Sequence, residues 1–145
     1  MLRDMESFMK SSKQSKRSVS KLAQKVLDFL QEEHVFPAKV LSEVPLHKIN
    51  ARAPRNLYVD ILVQGICAME VDGPQHKVPV RFGGISLAQA EENLDRQKTL
   101  DRRKELFIRG SNLPLIRLDE NEVKEISFEM IYQKLEIARK AISHD

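Results

Sequence analysis

Three carboxylates stand close together in the middle of the chain. Asp60, Glu70 and Asp72 sit in two short apolar runs, Tyr58–Val63 (YVDILV) and Ile66–Asp72 (ICAMEVD). Acids grouped in an otherwise apolar hairpin raise one another's pKa or demand a cation. Mg²⁺ is the natural ion for an open oxygen-ligand site built on one or two carboxylates, with Mn²⁺ as a substitute. Asp60 and Glu70 are the candidate metal ligands, with Asp72 joining them or positioning a water. Such a metal polarises a phosphate and lowers the pKa of its bound water. His76 follows after the Gly73-Pro74 turn and is placed to act as general base or general acid, with Lys77 beside it.

Whether the acids meet depends on strand register. Alternation groups Tyr58, Asp60 and Leu62 on one face of the first run. In the second it groups Ile66, Ala68, Glu70 and Asp72, leaving Cys67, Met69 and Val71 on the other face. A two-residue turn at Gln64-Gly65 pairs positions that sum to 129 and sends Asp60 and Glu70 to opposite faces. A looser turn, or a bulge, shifts the sum to 130 and sets them directly opposite each other. The plain alternative is structural: Asp60 or Glu70 pairs with Arg102 or Arg117, and Asp72-Gly73-Pro74 only ends a strand.

The elements around the hairpin follow from periodicity. Ser18 or Ser20 caps a helix carrying Val19, Leu22, Val26, Leu27, Phe29 and Leu30, running to about Glu33 and stopped by Pro37. Val35 to Leu46 is a weak strand, and Lys48 to Asn56 a loop. Ser86 with Gln89 forms a capping-box pattern opening a long charged helix to about Arg109, closed by Gly110-Ser111-Asn112. Leu113 to Leu118 reads as a strand whose Pro114 marks an edge or a start. One last amphipathic helix carries Val123, Ile126, Phe128, Ile131, Leu135, Ala138 and Ile142. The expected class is α/β, a small mixed sheet flanked by helices.

YVDILV, CAMEVDGPQHK and LDRRKELFIRGSNLPLIRL together resemble the PD-(D/E)XK restriction-endonuclease-like superfamily. The likeness is to its histidine-bearing branch of very-short-patch repair and related small phage and homing-type nucleases. The resemblance covers roughly Leu57 to Leu118 and implies an αβββαβ core, Mg²⁺ dependence and phosphodiester hydrolysis, with DNA preferred over RNA. It gives Asp60 as the first metal carboxylate, Glu70 and Asp72 as the E-x-D strand and His76 as the histidine. Asp101 with Lys104 falls at the family's Asp-x-x-Arg, and Ile116-Arg117 in its terminal strand. The chain departs from the wider pattern at Glu-x-Lys, which is Glu70-Val71-Asp72 here. Lys77 or Lys98 would have to stand in for the lysine, and Glu43 could supply a further carboxylate. A second resemblance, through Asp72-Gly73-Pro74-Gln75-His76, is to the RAP domain, an RNA-associated module. It implies RNA binding or processing without required catalysis. Gly83-Gly84-Ile85-Ser86 echoes that domain loosely, while its aromatic ending is replaced by Leu118-Asp119-Glu120-Asn121-Glu122. A nuclease-fold subunit that has lost turnover is the third reading.

Basic residues supply the nucleic-acid contacts. Lys77, Arg81, Arg96, Lys98 and Arg103 are the candidates for gripping phosphates, with Arg55, Arg102 and Arg109 near them. The plain alternative for the helix is a solvated face of mixed sign, with pairs such as Glu92–Arg96. Residues 1–17 read as a basic arm ahead of a single domain, 18–145. Met1 to Lys25 holds seven Lys/Arg against Asp4 and Glu6, a charge of +5, so the chain's +3 leaves −2 for the rest. One cysteine in 145 residues excludes a disulfide framework and a four-cysteine zinc site. The absence of Trp argues against a stacked-aromatic platform for single strands. The apolar stretch from Tyr58 to Val71 is too short and too charged to cross a membrane. No signal-peptide pattern opens the chain, so an intracellular setting (cytoplasmic, nuclear or viral-host, with an organelle still open) is expected. The last helix could join two copies or hold a protein partner.

Overall fold

The computed structural model describes residues 19–73 and 86–143. The basic arm and the loop bearing His76, Lys77, Arg81 and Gly83-Gly84 therefore lie outside the described residues.

Ser20 opens the first helix, α1 (Lys21–Glu32): its Oγ accepts from the Ala23 N–H at 3.1 Å, satisfying one of the first-turn donors. The helix stops well before Pro37. His34 takes a left-handed φ of 50°, and the Val35 N–H returns to the Leu30 carbonyl at 3.2 Å. That reversal buries Val35 and Phe36 beside the helix, so the expected strand from Val35 begins only at Val40.

Three strands follow: β1 (Val40–Pro45), β2 (Tyr58–Val63) and β3 (Cys67–Asp72). A 3₁₀ turn, Leu46–Lys48, leads into the loop after β1. The turn between β2 and β3 is the looser one. Val63 pairs with Cys67 and Ile61 with Met69, and Gly65 sits at φ +76°. Ile66, taken up in this turn, packs against the Cys67–Met69 side rather than sharing the face of Ala68.

Ser86 caps the long α2 (Leu87–Gly110), its Oγ accepting from the Gln89 N–H at 3.1 Å. Asn112, at φ 56°, ends that helix, and the Leu113 N–H bonds back to the Ile108 carbonyl. The chain then enters β4 (Leu115–Asp119) directly after Pro114. Asp119 closes the strand and caps α3 (Glu120–Lys124) through a reciprocal capping box with Glu122. The single last helix expected from Val123 onward is instead α3 followed by α4 (Phe128–Ser143). The break has a local cause: the Ser127 hydroxyl accepts from the Met130 N–H and starts a new helix.

The sheet runs β1-β2-β3-β4. The β1–β2 and β2–β3 pairs are antiparallel, and β4 runs parallel to β3 at the edge of the sheet. One face carries α1, α3 and α4 over Ile61, Val63, Cys67, Met69, Val71, Ile116 and Leu118. Each fully buried aliphatic there contributes about 1.5–3 kcal/mol. Cys67 is sealed in this core, its thiol pushed up to about 12 by burial, and is chemically quiet. The other face gathers Leu46, Ala53, Leu57, Val59 and Ala68 against Ile108 of α2. Among the described residues, no helix is long and apolar enough to cross a membrane.

Gly65 sets the register that brings the acids together, and its Cβ position is open space. Gly65→Ala therefore carries only the left-handed backbone penalty, an expected loss of about 1–2 kcal/mol in urea unfolding.

Candidate functional site

The site is built where the β2–β3 ladder changes character. Past the Ile61–Met69 pair, side chains replace the usual main-chain exchange. The Asp60 N–H donates to Glu70 Oε2 at 3.4 Å, and the Val71 N–H donates to Asp60 Oδ2 at 2.8 Å. The two carboxyls are neighbours, as the looser turn requires. On its other side β2 pairs with β1 from Val40–Val63 to Pro45–Tyr58, and the Glu43–Asp60 rung is the one skipped. Glu43 is buried there with a left-handed φ of 48°, a conformation costing on the order of 1–2 kcal/mol in a non-glycine residue. Val59 packs under α2 while Ile61 and Val63 pack on the opposite face. The sheet thus turns over at the rung that holds Glu43, Asp60 and, across the hairpin, Glu70.

Glu70 is the buried member, 3% exposed. Lys104 of α2 reaches down to it, Nζ to Oε1 at 3.1 Å. Burial first, and then the Asp60 carboxyl beside it, push the Glu70 pKa up to about 8, against the pull of Lys104. Near neutral pH the Glu70 carboxyl is therefore biased toward its protonated form. Asp72 lies on the same face but turns to β4, where Arg117 Nη1 stands 3.4 Å from its Oδ1. The other guanidinium nitrogen of Arg117 donates to the Asp101 carbonyl at 3.4 Å, tying β4 to α2.

Of the expected catalytic set, Asp60 and Glu70 are brought together and Asp72 is held apart by its arginine. His76 is outside the described residues. Among those residues no three His, Cys, Asp or Glu side chains gather as metal ligands. Both Glu70 oxygens and Asp60 Oδ2 already have partners within the protein. The ion pairs expected for Asp60 or Glu70 with Arg102 or Arg117 are not formed among the described residues: Lys104 serves Glu70, and Arg117 serves Asp72 instead.

The basic candidates on α2 are all presented to solvent. Arg96, Lys98 and Arg103 are exposed, as are Arg102 and Arg109. Lys98, Arg102 and Arg109 are spaced by four and seven residues, and Arg96 and Arg103 by seven, so they form two stripes along the outer surface. None of the five has an ion pair with a described residue, including the expected Glu92–Arg96. The acids Glu91, Glu92 and Asp95 occupy the helix's N-terminal half. The sequence signal for Lys104 was its place in the Asp-x-x-Arg-like spacing, but its bond to Glu70 spans 34 positions and has no local signature.

Comparison with protein-family models, curated proteins and solved structures finds no match to this chain.

The Glu70 shift makes a signed prediction. The unfolded carboxyl titrates near 4.5 and the folded one near 8, so the native state binds the extra proton between these values. Stability is full below the lower value and falls as pH rises toward the upper, by on the order of 1 kcal/mol per pH unit at most. Urea midpoints measured from pH 5 to pH 8 should decline in the wild type and stay level in Glu70→Gln. Lys104→Met should destabilise more at pH 8 than at pH 5, because the carboxylate then lacks its cation.

Proposed function

We propose that this domain is an RNA-binding module of the RAP-like kind, in which the Asp60–Glu70–Lys104 cluster is a structural centre rather than a metal site. One contrast carries the reading. The cluster's carboxylates are bonded inside the protein, while Arg96, Lys98, Arg102, Arg103 and Arg109 of α2 face solvent with no ion pair to a described residue. Unpaired surface cations at helical spacing are suited to phosphates, and binding through them releases counterions. The Asp72-Gly73-Pro74-Gln75-His76 segment supports RNA over DNA as the partner.

A metal-dependent endonuclease of the PD-(D/E)XK type is the second reading, and one observation favours it. Two neighbouring carboxylates with a lysine on one of them are the residue types that superfamily calls for. Here the lysine arrives from α2 instead of the strand. That reading requires Glu70 to release both Lys104 and the Asp60 N–H.

Fluorescence anisotropy with a labelled single-stranded RNA and the matching DNA separates the two. RNA should bind in EDTA, more tightly than DNA, and Asp60→Ala should retain that binding. Replacing Lys98, Arg102 and Arg103 by Gln should weaken it and reduce the slope of log K against log salt by about 2. Mg²⁺-dependent cleavage that Asp60→Ala abolishes would instead establish the nuclease.

A further inference from the structure

A cavity of about 330 Å³ opens between the C-terminal half of α2, the free edge of β4 and α4. It is separate from the carboxylate cluster. Leu115, Ile137, Ala141 and Ile142 form apolar walls, and Arg109 and Lys134 stand among the polar residues that line it. Ile137 is 69% exposed, far more than an aliphatic side chain needs to be on a helix with a buried face.

The open strand edge invites a second strand, but two side chains block that use. The Ala68 N–H bonds to the Pro114 carbonyl, so in a parallel ladder the even-numbered residues of β4 serve β3. Leu115, Arg117 and Asp119 then turn their main-chain groups outward. Lys134 Nζ already donates to the Arg117 carbonyl at 2.9 Å, and Glu122 Oε1 accepts from the Asp119 N–H at 3.1 Å. An edge carrying a lysine and a helix cap is protected against strand addition. Among the described residues, the Arg117 N–H and the main chain of Leu115 remain open, the latter at the cavity.

Three cations, Arg109, Arg117 and Lys134, and one acid, Glu105, line the cavity. Arg117 is engaged by Asp72, and Lys134 by Glu122. Glu105 contributes one negative charge, and Arg109 is an exposed cation with no ion pair to a described residue. Arg109 also ends the Lys98–Arg102 stripe, so a strand tracked along that stripe is led to the cavity mouth. The volume is at the small end of ligand sites, about 300–1,000 Å³, enough for one ring system and not for an extended peptide.

We propose that this cavity binds a single nucleotide of a single-stranded RNA. The base lies between Leu115 and the Ile137–Ala141–Ile142 face of α4, its edge met by the Leu115 main chain, and its phosphate rests at Arg109. The proposal builds on the RNA-binding reading and names where that surface takes hold of a base.

The test uses the full chain, with adenosine and uridine 5′-monophosphates as probes in ¹H–¹⁵N NMR titrations. A single-stranded RNA of about 12 nucleotides is titrated in parallel by anisotropy. Ala141→Trp fills the cavity from the rim, and its fold is verified by thermal unfolding. The milder Ile137→Ser serves if that variant does not fold. Mononucleotide shifts at Arg109, Leu115, Ile137 and Ala141 that vanish in the filled variant, with RNA affinity reduced about tenfold, support the cavity. RNA binding that the filled variant leaves unchanged, with no mononucleotide shifts there, overturns the cavity and leaves the α2 surface standing. Failure of the wild type to bind either probe overturns both. Cavity signals that move instead with protein concentration assign the groove to a second copy and also overturn the proposal.

Discussion

A buried acid governs the arrangement of this domain. Burying the Glu70 carboxyl costs several kcal/mol unless a partner or a proton offsets it. Lys104 provides the partner, and that single reach fixes where α2 must lie. Its apolar contact is narrow: Ala90, Leu94 and Ile108 are its buried residues in 24 positions, with Leu100 and Phe107 packed beside Ile108. Polar anchors do the rest. Asn50 Nδ2 donates to the Phe107 carbonyl, Ser111 Oγ to the Ile49 carbonyl, and Arg117 to the Asp101 carbonyl. A helix docked by directed bonds at its inner side has its outer side free for charge, and α2 uses it for arginine and lysine.

The same constraint bends the sheet. Around Asp60 and Glu70 side chains take the place of main-chain pairing: the Asp60 N–H donates to Glu70 Oε2, and the Val71 N–H donates to Asp60 Oδ2. The rung beyond them, at Glu43, adopts a left-handed residue inside a strand. The Asp60 and Glu70 carboxyls lie side by side at this level, and Glu70 is met by Lys104 and by the Asp60 N–H. Burial, with the Asp60 carboxyl beside it, favours the neutral form of Glu70.

The hairpin was legible in the residues because two signals agreed. Period-two alternation placed Ala68, Glu70 and Asp72 on one face, and Gly65 marked a turn that could take positive φ. The faces followed once the register was known, which the sequence left between two sums. Helix starts at Ser20 and Ser86 were readable because capping is local chemistry. The division of the last helix at Ser127 was missed because the apolar spacing from Val123 to Ile142 runs on unbroken, while the break depends on one hydroxyl. Likewise the meeting of Asp60 and Glu70 was legible and the pairing of each acid was not. Arg102 and Lys104 are two positions apart, and only the rotation of α2 about its axis decides which one faces the sheet. The cavity at the β4 edge depends on three elements distant in sequence and left no pattern to read.

The cations of the second half of the chain divide by what they face. Lys104 and Arg117 look inward to carboxylates of β3. Lys134 is spent on a strand carbonyl and on Glu122, where it closes an edge that would otherwise accept another strand. Those three hold the fold together, and each is at least partly shielded from water. Arg96, Lys98, Arg102, Arg103 and Arg109 have no such internal task, and keeping five cations on one helix surface carries a repulsive cost in the free protein. A polyanion removes that cost on binding, whereas a metal at Glu70 would have to displace a lysine already in place. In the RNA-binding reading proposed above, the partner is accordingly laid across the outside of α2.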